Sequence, residues 1–553
     1  MRARRADAAV LCLALAVCHT TGVCRGVVAF SSTPGRVHSS ASRLSGLHRR
    51  GGRGLAPLAE GARGRGIPCN REIGCPGAHV RRGQGMGQFD RRGGMSRAAG
   101  AGEGVEPGGL SGQDCTPLLS ALVDTADKVR VPFFFPGHQM GRGSPLEFMK
   151  EALLLDLPED VEDIDCLSYA DGPIRESQQL AARLFGARHS FFLCNGSTGG
   201  ILAALMAAVQ RHQRESAHLV APVIILPRNA HKSAVQGLIL CGAQAVWLPP
   251  LYDAHFEVAF AFRLQDLEEA LREHGDRVAA VLCVSPTYHG VVQNISAVKN
   301  AIARSARTEV PLIVDEAHGS HLSLISGLQR SGVGGVGRWW LPSGGLARGM
   351  GALEGGAEVV VQSTHKTLTS LTQSSMLHLA SDLLYDEMAE ALDMIQSSSP
   401  SALLLASLDA TRHQFGSELG GGRVHLRRAL RLSQFVRLSL KRYTPKLRVL
   451  QGPADLTPVG RGGGGGVGGI DPLRLVVYTG AVCSGDDAAT FMEDNYGVFC
   501  ELQTDVVCLG CVRVCVCVCV CVCSCTHTHR YNTQNRSDTI PRIGLFCRIT
   551  GLF

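Results

Sequence analysis

Four short polar motifs each follow an apolar run and carry groups able to do chemistry. They are residues 195–200 (NGSTGG), 228–233 (RNAHKS), 315–318 (DEAH) and 363–366 (STHK). The small residues of the first motif would leave backbone N–H groups at a helix N-terminus free to hold an anion, and Ser197 and Thr198 add two hydroxyl groups. The other motifs supply imidazole, carboxylate and amine groups. Taken singly, each motif also has an ordinary structural explanation, such as helix capping by Ser or Thr.

The spacing of apolar residues predicts the elements that position these motifs. The predicted strands are 223–226, 245–248, 279–284, 312–314 and 359–362, with a further short apolar run at 191–195. The predicted helices are 197–213, 232–241, 264–274 and 295–304. Strands that alternate with helices of this length favour an α/β fold, with a mainly parallel sheet covered on both faces. In such sheets, ligands bind beyond the carboxyl ends of the strands, where these motifs lie.

The order of the groups along the chain is that of a fold-type-I enzyme that uses pyridoxal 5′-phosphate (PLP). Such an enzyme needs a lysine that holds the cofactor aldehyde as a Schiff base, which Lys366 would supply. It needs a carboxylate, here Asp315, that keeps the pyridine nitrogen protonated so that the ring accepts electrons. It also needs a ring that stacks on the cofactor and a helix N-terminus that binds the phosphate. The sequence therefore predicts PLP as the cofactor, and no metal.

Seven motifs in the right order resemble the Orn/Lys/Arg decarboxylase family, in its short bacterial-type form without an N-terminal response-regulator-like domain. They are residues 135–138 (FPGH), 178–192 (QQLAARLFGARHSFF), 227–233 (PRNAHKS), 286–290 (PTYHG), 314–319 (VDEAHG), 362–366 (QSTHK) and 403–409 (LLLASLD). The resemblance covers about residues 128–505. It implies the aspartate-aminotransferase-like fold of PLP-dependent transferases, with a large PLP-binding domain and a smaller C-terminal α+β domain.

The resemblance also implies roles for the residues around the lysine. Lys366 would be the Schiff-base lysine, with His365 beside it in contact with the phosphate or the ring. Asp315 would pair with the pyridinium nitrogen. Ala317 and His318 would pack against the cofactor.

At the other strand ends, the resemblance implies contacts with the phosphate and with the ring face. Ser197 and Thr198 would bind the phosphate together with Ser363. His231 would stack on the pyridine ring and is the candidate proton donor to the carbon from which CO₂ leaves. Lys232 has no assignable role and is expected to be a surface lysine.

The function implied is decarboxylation of a basic amino acid to its amine and CO₂, as in polyamine biosynthesis. Arginine is the favoured substrate, with lysine or ornithine as alternatives. Two alternatives stay open: another fold-type-I activity such as aminotransfer, or a catalytically dead pseudoenzyme. An aminotransferase would usually need an arginine that holds the substrate carboxylate, and no such arginine can be placed from the sequence.

The cationic tail of the substrate needs a carboxylate in the protein. Asp165, Asp171 and Glu176 lie near the expected entrance, although solvation is the expected role of each. The family also implies a homodimer or a higher homo-oligomer.

The resemblance divides the body into a large PLP-binding domain at 115–400 and the start of a small domain at 401–505. The rest of the family's C-terminal domain is expected to be absent, so the predicted small domain is truncated. The sequence departs from the family at Gln139, where members commonly carry Lys. It also departs at two Gly-rich stretches, 328–356 and 460–469.

The positive net charge of +7 belongs to the N-terminal part of the chain. Residues 1–100 hold 17 Arg, no Lys and 4 acidic residues, whereas the rest holds 38 basic and 44 acidic residues. The body therefore offers no electrostatic basis for binding nucleic acid. Residues 1–30 resemble a signal peptide, and 31–110 are Arg- and Ser-rich, typical of a disordered transit-like extension. Together they favour a bipartite plastid presequence, with ordinary secretion as the alternative.

The C-terminal residues 506–553 have a repetitive composition. Residues 514–523 read VCVCVCVCVC and 526–529 read THTH, which is typical of translated dinucleotide repeats in an intron read as coding sequence. The alternative interpretations of this repeat are a β-strand and a metal–thiolate tract. A membrane span is disfavoured by Arg513 and by the strand-like composition. The cysteines of the body lie within apolar runs and are expected to be free thiols.

Overall fold

The structure, a computed structural model, describes residues 112–159, 161, 163–215, 220–330, 350–457 and 466–511. The predicted signal peptide and transit-like extension lie outside the described residues, as do most of the two Gly-rich stretches and the Cys-Val repeat. The predicted localisation in a plastid therefore rests on the sequence alone. All described residues belong to one compact unit.

The strands of the described part are short, and most are buried. They are β1 (His189–Leu193), β2 (Val223–Pro227), β3 (Gln244–Leu248), β4 (Pro250–Asp253), β5 (Val258–Phe262), β6 (Val278–Val284), β7 (Val291–Gln293), β8 (Leu312–Asp315), β9 (Val359–Gln362), β10 (Ser375–Leu379), β11 (Arg448–Val449), β12 (Val467–Ile470), β13 (Arg474–Tyr478), β14 (Leu502–Gln503) and β15 (Val507–Cys511).

The helices alternate with these strands in the first part of the chain. They are α1 (Pro117–Lys128), α2 (Lys150–Leu153), α3 (Pro173–Phe185), α4 (Gly196–Glu215), α5 (Lys232–Cys241), α6 (Leu264–His274), α7 (Ile295–Ser305), α8 (Leu322–Arg330), α9 (Thr364–Thr367), α10 (Tyr385–Ile395), α11 (Ala402–Gly416), α12 (Gly422–Tyr443) and α13 (Gly485–Tyr496).

A seven-stranded sheet forms the centre of the fold, in the order β1-β10-β9-β8-β6-β2-β3. Strands β9, β8, β6, β2 and β3 pair in parallel, and β10 runs antiparallel to both of its neighbours. The mainly parallel α/β sheet predicted from the sequence is therefore confirmed. The antiparallel strand β10 was not predicted.

Both faces of this sheet are buried, because successive side chains of a strand point to opposite faces. Ile224 and Leu226 of β2 pack in one core cluster, while Val223 and Ile225 pack in another. Helix α4 approaches the sheet closely at Gly200, where an added Cβ would lie 2.7 Å from side-chain atoms of Leu193 and Val361. Glycine at this position lets the start of α4 lie against the strand ends.

A four-stranded sheet, β11-β13-β15-β14, packs with α12 and α13 in the C-terminal part. Strand β15 lies in the segment predicted as a tail from residue 506, yet it pairs with β13 and β14. Its side chains alternate between two cores, since Val507 and Leu509 join one cluster and Cys508 joins another. The apolar alternation explains why the first residues of the predicted tail form part of the sheet.

Helix α11 begins the predicted small domain but packs beside α1 and α3, because Leu405, Ala406 and Leu408 share a core cluster with both. The domain boundaries stay predictions. The end of the predicted Gly-rich insertion is also built into the core, where Met350 and Ala352 are buried. The cysteines from Cys115 to Cys508 whose side chains the structure describes are free thiols. Among the described helices, none has the length and apolar composition to cross a membrane.

Candidate active site

The four polar motifs all follow strands of the central sheet or lie at their ends. Asp315 is the last residue of β8, and Ser363 comes directly after the adjacent parallel strand β9. The backbone N–H of Glu316 donates to the carbonyl of Val361 at 2.9 Å, which ties the two strand ends together. The convergence predicted for the carboxyl edge of the sheet is present for these two motifs.

The first turn of α4 brings two hydroxyl groups to this edge. Ser363 Oγ donates a hydrogen bond to Ser197 Oγ at 2.7 Å. Thr198 follows on the same turn and is half-buried. A helix N-terminus with free N–H groups and hydroxyl side chains is suited to a phosphate group. The three residues predicted to bind phosphate therefore lie at the start of α4 or in direct contact with it.

Asp315 is a buried carboxylate with cationic groups close by. Its Oδ1 accepts a hydrogen bond from the backbone N–H of Ala317 at 3.1 Å. Burial raises the pKa of Asp315, while the hydrogen bond from Ala317 and the positive charge of Lys366 lower it. A carboxylate in such a place favours a cationic partner, because burial of an unpaired charge is costly.

Lys366 is half-buried on the short helix α9, with its Nζ 3.5 Å from Nε2 of His318. Burial lowers the pKa of Lys366, and the positive charge of Arg474 lowers it further, whereas Asp315 and Glu501 raise it. A lysine with a lowered pKa has a larger share of the free amine, which is the nucleophilic form. This is the state required of a lysine that attacks an aldehyde.

Two predicted histidines have one ring nitrogen engaged by the protein. His231 caps α5, and its Nδ1 accepts from the backbone N–H of Ser233 at 3.2 Å. His365 Nδ1 donates to the carbonyl of Ser374 at 2.8 Å. Burial lowers the pKa of both histidines. Each ring is thereby held in one orientation through its Nδ1. Lys232, next to His231, is exposed, as expected.

The site also contains an arginine and a tyrosine that the sequence did not assign to it. Arg474, the first residue of β13, donates from Nη2 to Nδ1 of His318 at 2.6 Å. Its guanidinium lies over the ring of Tyr288, 5.7 Å from the ring centre. Tyr288 OH in turn donates to Glu501 at 3.0 Å. Tyr288 lies in one of the motifs that resemble the family, and Arg474 lies within the range that the resemblance covers, but the sequence did not indicate that the two residues are in contact.

Glu316, beside Asp315, has a structural role. Its two carboxylate oxygens accept hydrogen bonds from Gln362 Nε2 at 2.6 Å and from the backbone N–H of Ala352 at 2.9 Å. The side chain is 1% exposed, and burial raises its pKa to about 8. Glu316 therefore links the end of β8 to the end of β9 and to the backbone at Ala352.

One of the three acidic residues considered for the substrate tail is instead part of the scaffold. Asp165 is buried and accepts four backbone hydrogen bonds around the start of α3, from residues 171, 172, 174 and 175. The expectation that Asp165 is a solvated surface residue is therefore wrong. Its carboxylate can be buried because the free N–H groups at the start of α3 stabilise it. Asp171 and Glu176 are exposed.

In the described ranges, no group of His, Cys, Asp and Glu side chains is arranged to hold a metal ion.

Comparison with known proteins identifies the fold first. A crystal structure of a lysine decarboxylase from Francisella novicida superposes with a TM-score of 0.58 at 17% identity, covering 75% of this chain and 59% of that chain. The constitutive lysine decarboxylase of Escherichia coli gives a TM-score of 0.58 at 20% identity. The fold is that of the PLP-dependent transferases, as predicted. The chain spans about three fifths of the length of these solved enzymes.

The family follows from the sequence comparisons. The family model described as "Orn/Lys/Arg decarboxylase, major domain" matches residues 116–446, and the chain belongs to this family. An arginine decarboxylase of Bacillus subtilis is 30% identical over 406 residues, covering 71% of this chain and 73% of that protein. An arginine decarboxylase of Bacillus anthracis is 28% identical over 406 residues, with coverages of 71% and 72%. The predicted family is confirmed, and these relatives are decarboxylases of a basic amino acid.

Proposed function

We propose that the protein is a PLP-dependent decarboxylase of a basic amino acid, with arginine the favoured substrate. The observation that carries the proposal is the place of Lys366, a half-buried amine that follows β9, at the same edge of the sheet as the buried carboxylate of Asp315 at the end of the adjacent strand β8. Membership of the Orn/Lys/Arg decarboxylase family supports decarboxylation over the other reactions that use a lysine and a carboxylate in this fold.

The groups of the site fit PLP in number and in chemistry. Lys366 would hold the aldehyde carbon, and Asp315 would face the ring nitrogen. The hydroxyls of Ser197, Thr198 and Ser363 would bind the phosphate at the start of α4, where the helix dipole favours negative charge. A bound PLP supplies a protonated aromatic ring that accepts the electron pair left behind when the carboxyl group departs.

The protein's own residues would have distinct tasks in the reaction. The carboxylate of Asp315 keeps a proton on the ring nitrogen, because a buried anion stabilises the adjacent cation. His231 is held by its cap contact with Ser233 and would stack on the ring face, with Nε2 able to deliver a proton to the substrate carbon. Lys366, as a free amine, would hold the cofactor before the substrate binds and take it up again after the product leaves. Ala317 and His318 would pack against the cofactor, and His365 would contact its phosphate or ring.

The named activities of the relatives support a basic amino acid as substrate. The two Bacillus proteins are arginine decarboxylases, and a lysine decarboxylase of Pseudomonas aeruginosa is 26% identical over 316 residues. A cationic tail needs an anionic group in the protein. Glu501 lies near the site, where its charge raises the pKa of Lys366, and it is the acidic residue that this proposal assigns to the tail.

The proposal also includes a homodimer or a higher homo-oligomer as the functional unit. Phe133, Phe135 and Phe148, between α1 and α2, are exposed. Exposed apolar side chains of this kind are typical of contact surfaces. Delivery to a plastid through residues 1–110 stays a prediction from the sequence.

The test is an assay of products from arginine, lysine and ornithine with PLP added. The protein would be expressed from about residue 110, and the Lys366→Ala variant would be the control. The expected result is CO₂ and agmatine from arginine, with no product from the variant. A preference of tenfold for lysine or ornithine, about 1.4 kcal/mol, would overturn the arginine assignment. Formation of a 2-oxo acid would indicate an aminotransferase, and PLP binding without any product would indicate a pseudoenzyme.

A further inference from the structure

We infer that Arg474 fixes the tautomer of His318, so that this imidazole presents an N–H to Lys366 and stabilises the lysine as a free amine. Arg474 and His318 are thereby positioning residues for the lysine. The inference concerns the ionisation of Lys366, and its use in catalysis rests on the function proposed above.

The imidazole of His318 lies between two basic side chains. Its Nδ1 is 2.6 Å from Nη2 of Arg474, and its Nε2 is 3.5 Å from Nζ of Lys366. The ring of Tyr288 packs edge-on against it, with 5.0 Å between the ring centres. These contacts hold the ring with one nitrogen toward each basic group.

The chemistry of these groups leaves one arrangement of protons. A guanidinium has only N–H donors and stays charged in proteins, so Nδ1 of His318 must accept. A neutral imidazole carries one proton, which is then on Nε2, facing Lys366. An N–H can donate to the lone pair of a free amine, but it cannot accept from an ammonium group. The Arg474 contact therefore favours the deprotonated lysine.

The charge state required of His318 agrees with its surroundings. Burial, together with the charges of Lys366 and Arg474, lowers the pKa of His318 to about 3. Asp471 opposes this and raises the pKa. The ring is therefore neutral at physiological pH, as the tautomer argument needs.

Arg474 is itself held in place from several sides. The residue is 3% exposed, and its Nε lies 4.0 Å from Oδ2 of Asp471. Asp471 Oδ1 is 2.9 Å from His321 Nε2, and its backbone N–H donates to the carbonyl of Gly290 at 2.7 Å. Gly290 has φ +85°, and a Cβ there would lie 2.7 Å from Cβ of Arg474. The small residue at 290 therefore makes room for the arginine.

Charged groups other than Arg474 also act on the ionisation of Lys366. Besides Arg474, the described residues that act on its charge are Asp315 at the end of β8 and Glu501 before β14, which both raise the pKa of Lys366. His231 and His365 contribute neutral rings at neutral pH, since burial lowers the pKa of each. Arg474 and His318 therefore favour the free amine of Lys366, whereas the two carboxylates favour its ammonium form. Replacement of Arg474 or His318 should shift Lys366 toward the ammonium form.

The test measures the ionisation of Lys366 without the cofactor. The chain from about residue 110 would be acetylated with acetic anhydride over a range of pH, and mass spectrometry would give the rate at each lysine. The exposed Lys232 in the same chain serves as the internal reference. We expect the midpoint for Lys366 to lie below that of Lys232. Arg474→Met and His318→Phe should each raise this midpoint by about one pH unit, a tenfold change in the ratio of ammonium to free amine.

Further variants separate a role through His318 from a direct effect of charge and from damage to the fold. Arg474→Lys, which keeps a charged donor, should retain most of the low midpoint, and the exposed Arg448→Met should change nothing. In the double variant, Arg474→Met should add a smaller rise to that of His318→Phe than it causes in the wild-type chain, because only the direct effect of its charge on Lys366 remains. Equal midpoints in all proteins, or two rises that add, would overturn the inference. If Arg474→Met does not fold, the midpoint of His318→Phe alone decides it.

The same proteins distinguish this inference from the proposed function. A wild-type chain that takes up no PLP but shows the low Lys366 midpoint and its loss in the variants would overturn the proposed function alone. A chain that binds PLP at Lys366 while Arg474→Met leaves the midpoint unchanged would overturn the inference alone.

Discussion

Ser363 and Ser197 lie 166 positions apart in the sequence, yet Ser363 Oγ donates to Ser197 Oγ at 2.7 Å. One hydroxyl follows strand β9, and the other stands on the first turn of α4 after β1. The contact exists because the sheet brings the ends of separate strands to one edge. It places two hydroxyl groups where the N-terminus of α4 favours an anion.

Replacement of Ser197 by Ala should weaken the binding of PLP. A hydrogen bond to a charged group contributes about 1.5–3 kcal/mol, so the Kd should rise by roughly tenfold or more. Fluorescence titration of the apoprotein with PLP measures this change. Ser398→Ala, at an exposed serine, is the matched control and should leave the Kd unchanged. An unchanged Kd in the Ser197 variant would contradict the proposed phosphate site.

Replacement of Asp315 by Asn should leave PLP bound but remove most of the activity. An amide cannot hold a proton on the ring nitrogen, and a loss of about 3 kcal/mol in transition-state stabilisation corresponds to roughly a hundredfold lower kcat. Steady-state CO₂ release at saturating PLP gives kcat. Asp382→Asn makes the same chemical change at an exposed carboxylate and should keep full activity. Near-normal turnover in Asp315→Asn would exclude the proposed role.

The sequence predicted the regular part of the fold well. The helix predicted at 232–241 has the observed bounds of α5, because His231 caps its start and Gly242 follows in the left-handed conformation with φ 68°. The order of motifs also placed Asp315, Ser363 and Lys366 at adjacent strand ends. Local apolar spacing and end signals were sufficient for these features.

The remainder of the site depends on contacts that local sequence patterns do not encode. Arg474 and His318 are 156 positions apart, and their contact requires the C-terminal sheet to pack against the turn around Gly290. The sequence suggests a surface position for Asp165. The backbone N–H groups that donate to its carboxylate belong to the start of α3, and a local pattern does not place them beside Asp165. Strand β15 was assigned to a repetitive tail because its partner strand β13 is distant in the sequence.

Replacement of Gly290 by Ala should destabilise the protein more than the same change at Gly186. Both glycines have positive φ, but nothing lies within 4 Å of a Cβ at Gly186, whereas a Cβ at Gly290 meets Arg474 at 2.7 Å. The positive φ should cost about 1 kcal/mol at each site, and crowding should add about 1–3 kcal/mol at Gly290. Urea unfolding measures both values. Equal losses would show that the close approach of Arg474 has no energetic consequence.

The protein should sediment as a dimer or a larger oligomer. Phe133, Phe135 and Phe148 are 95%, 84% and 81% exposed, and contact with a second copy would bury such side chains. Phe133→Ser combined with Phe148→Ser should shift the sedimentation equilibrium toward the monomer. Leu419→Ser, at another exposed apolar residue, is the control. A wild-type protein that is active as a strict monomer would contradict this part of the proposal.

The most direct test of the account is the site at which PLP becomes attached to the protein. The chain would be loaded with PLP, reduced with borohydride to make the link permanent, digested and analysed by mass spectrometry. The account predicts one modified peptide, with the added mass on Lys366, and none in the Lys366→Ala variant. A protein that acquires no stable modification, or one that is modified at exposed lysines such as Lys232 and not at Lys366, would contradict the central claim.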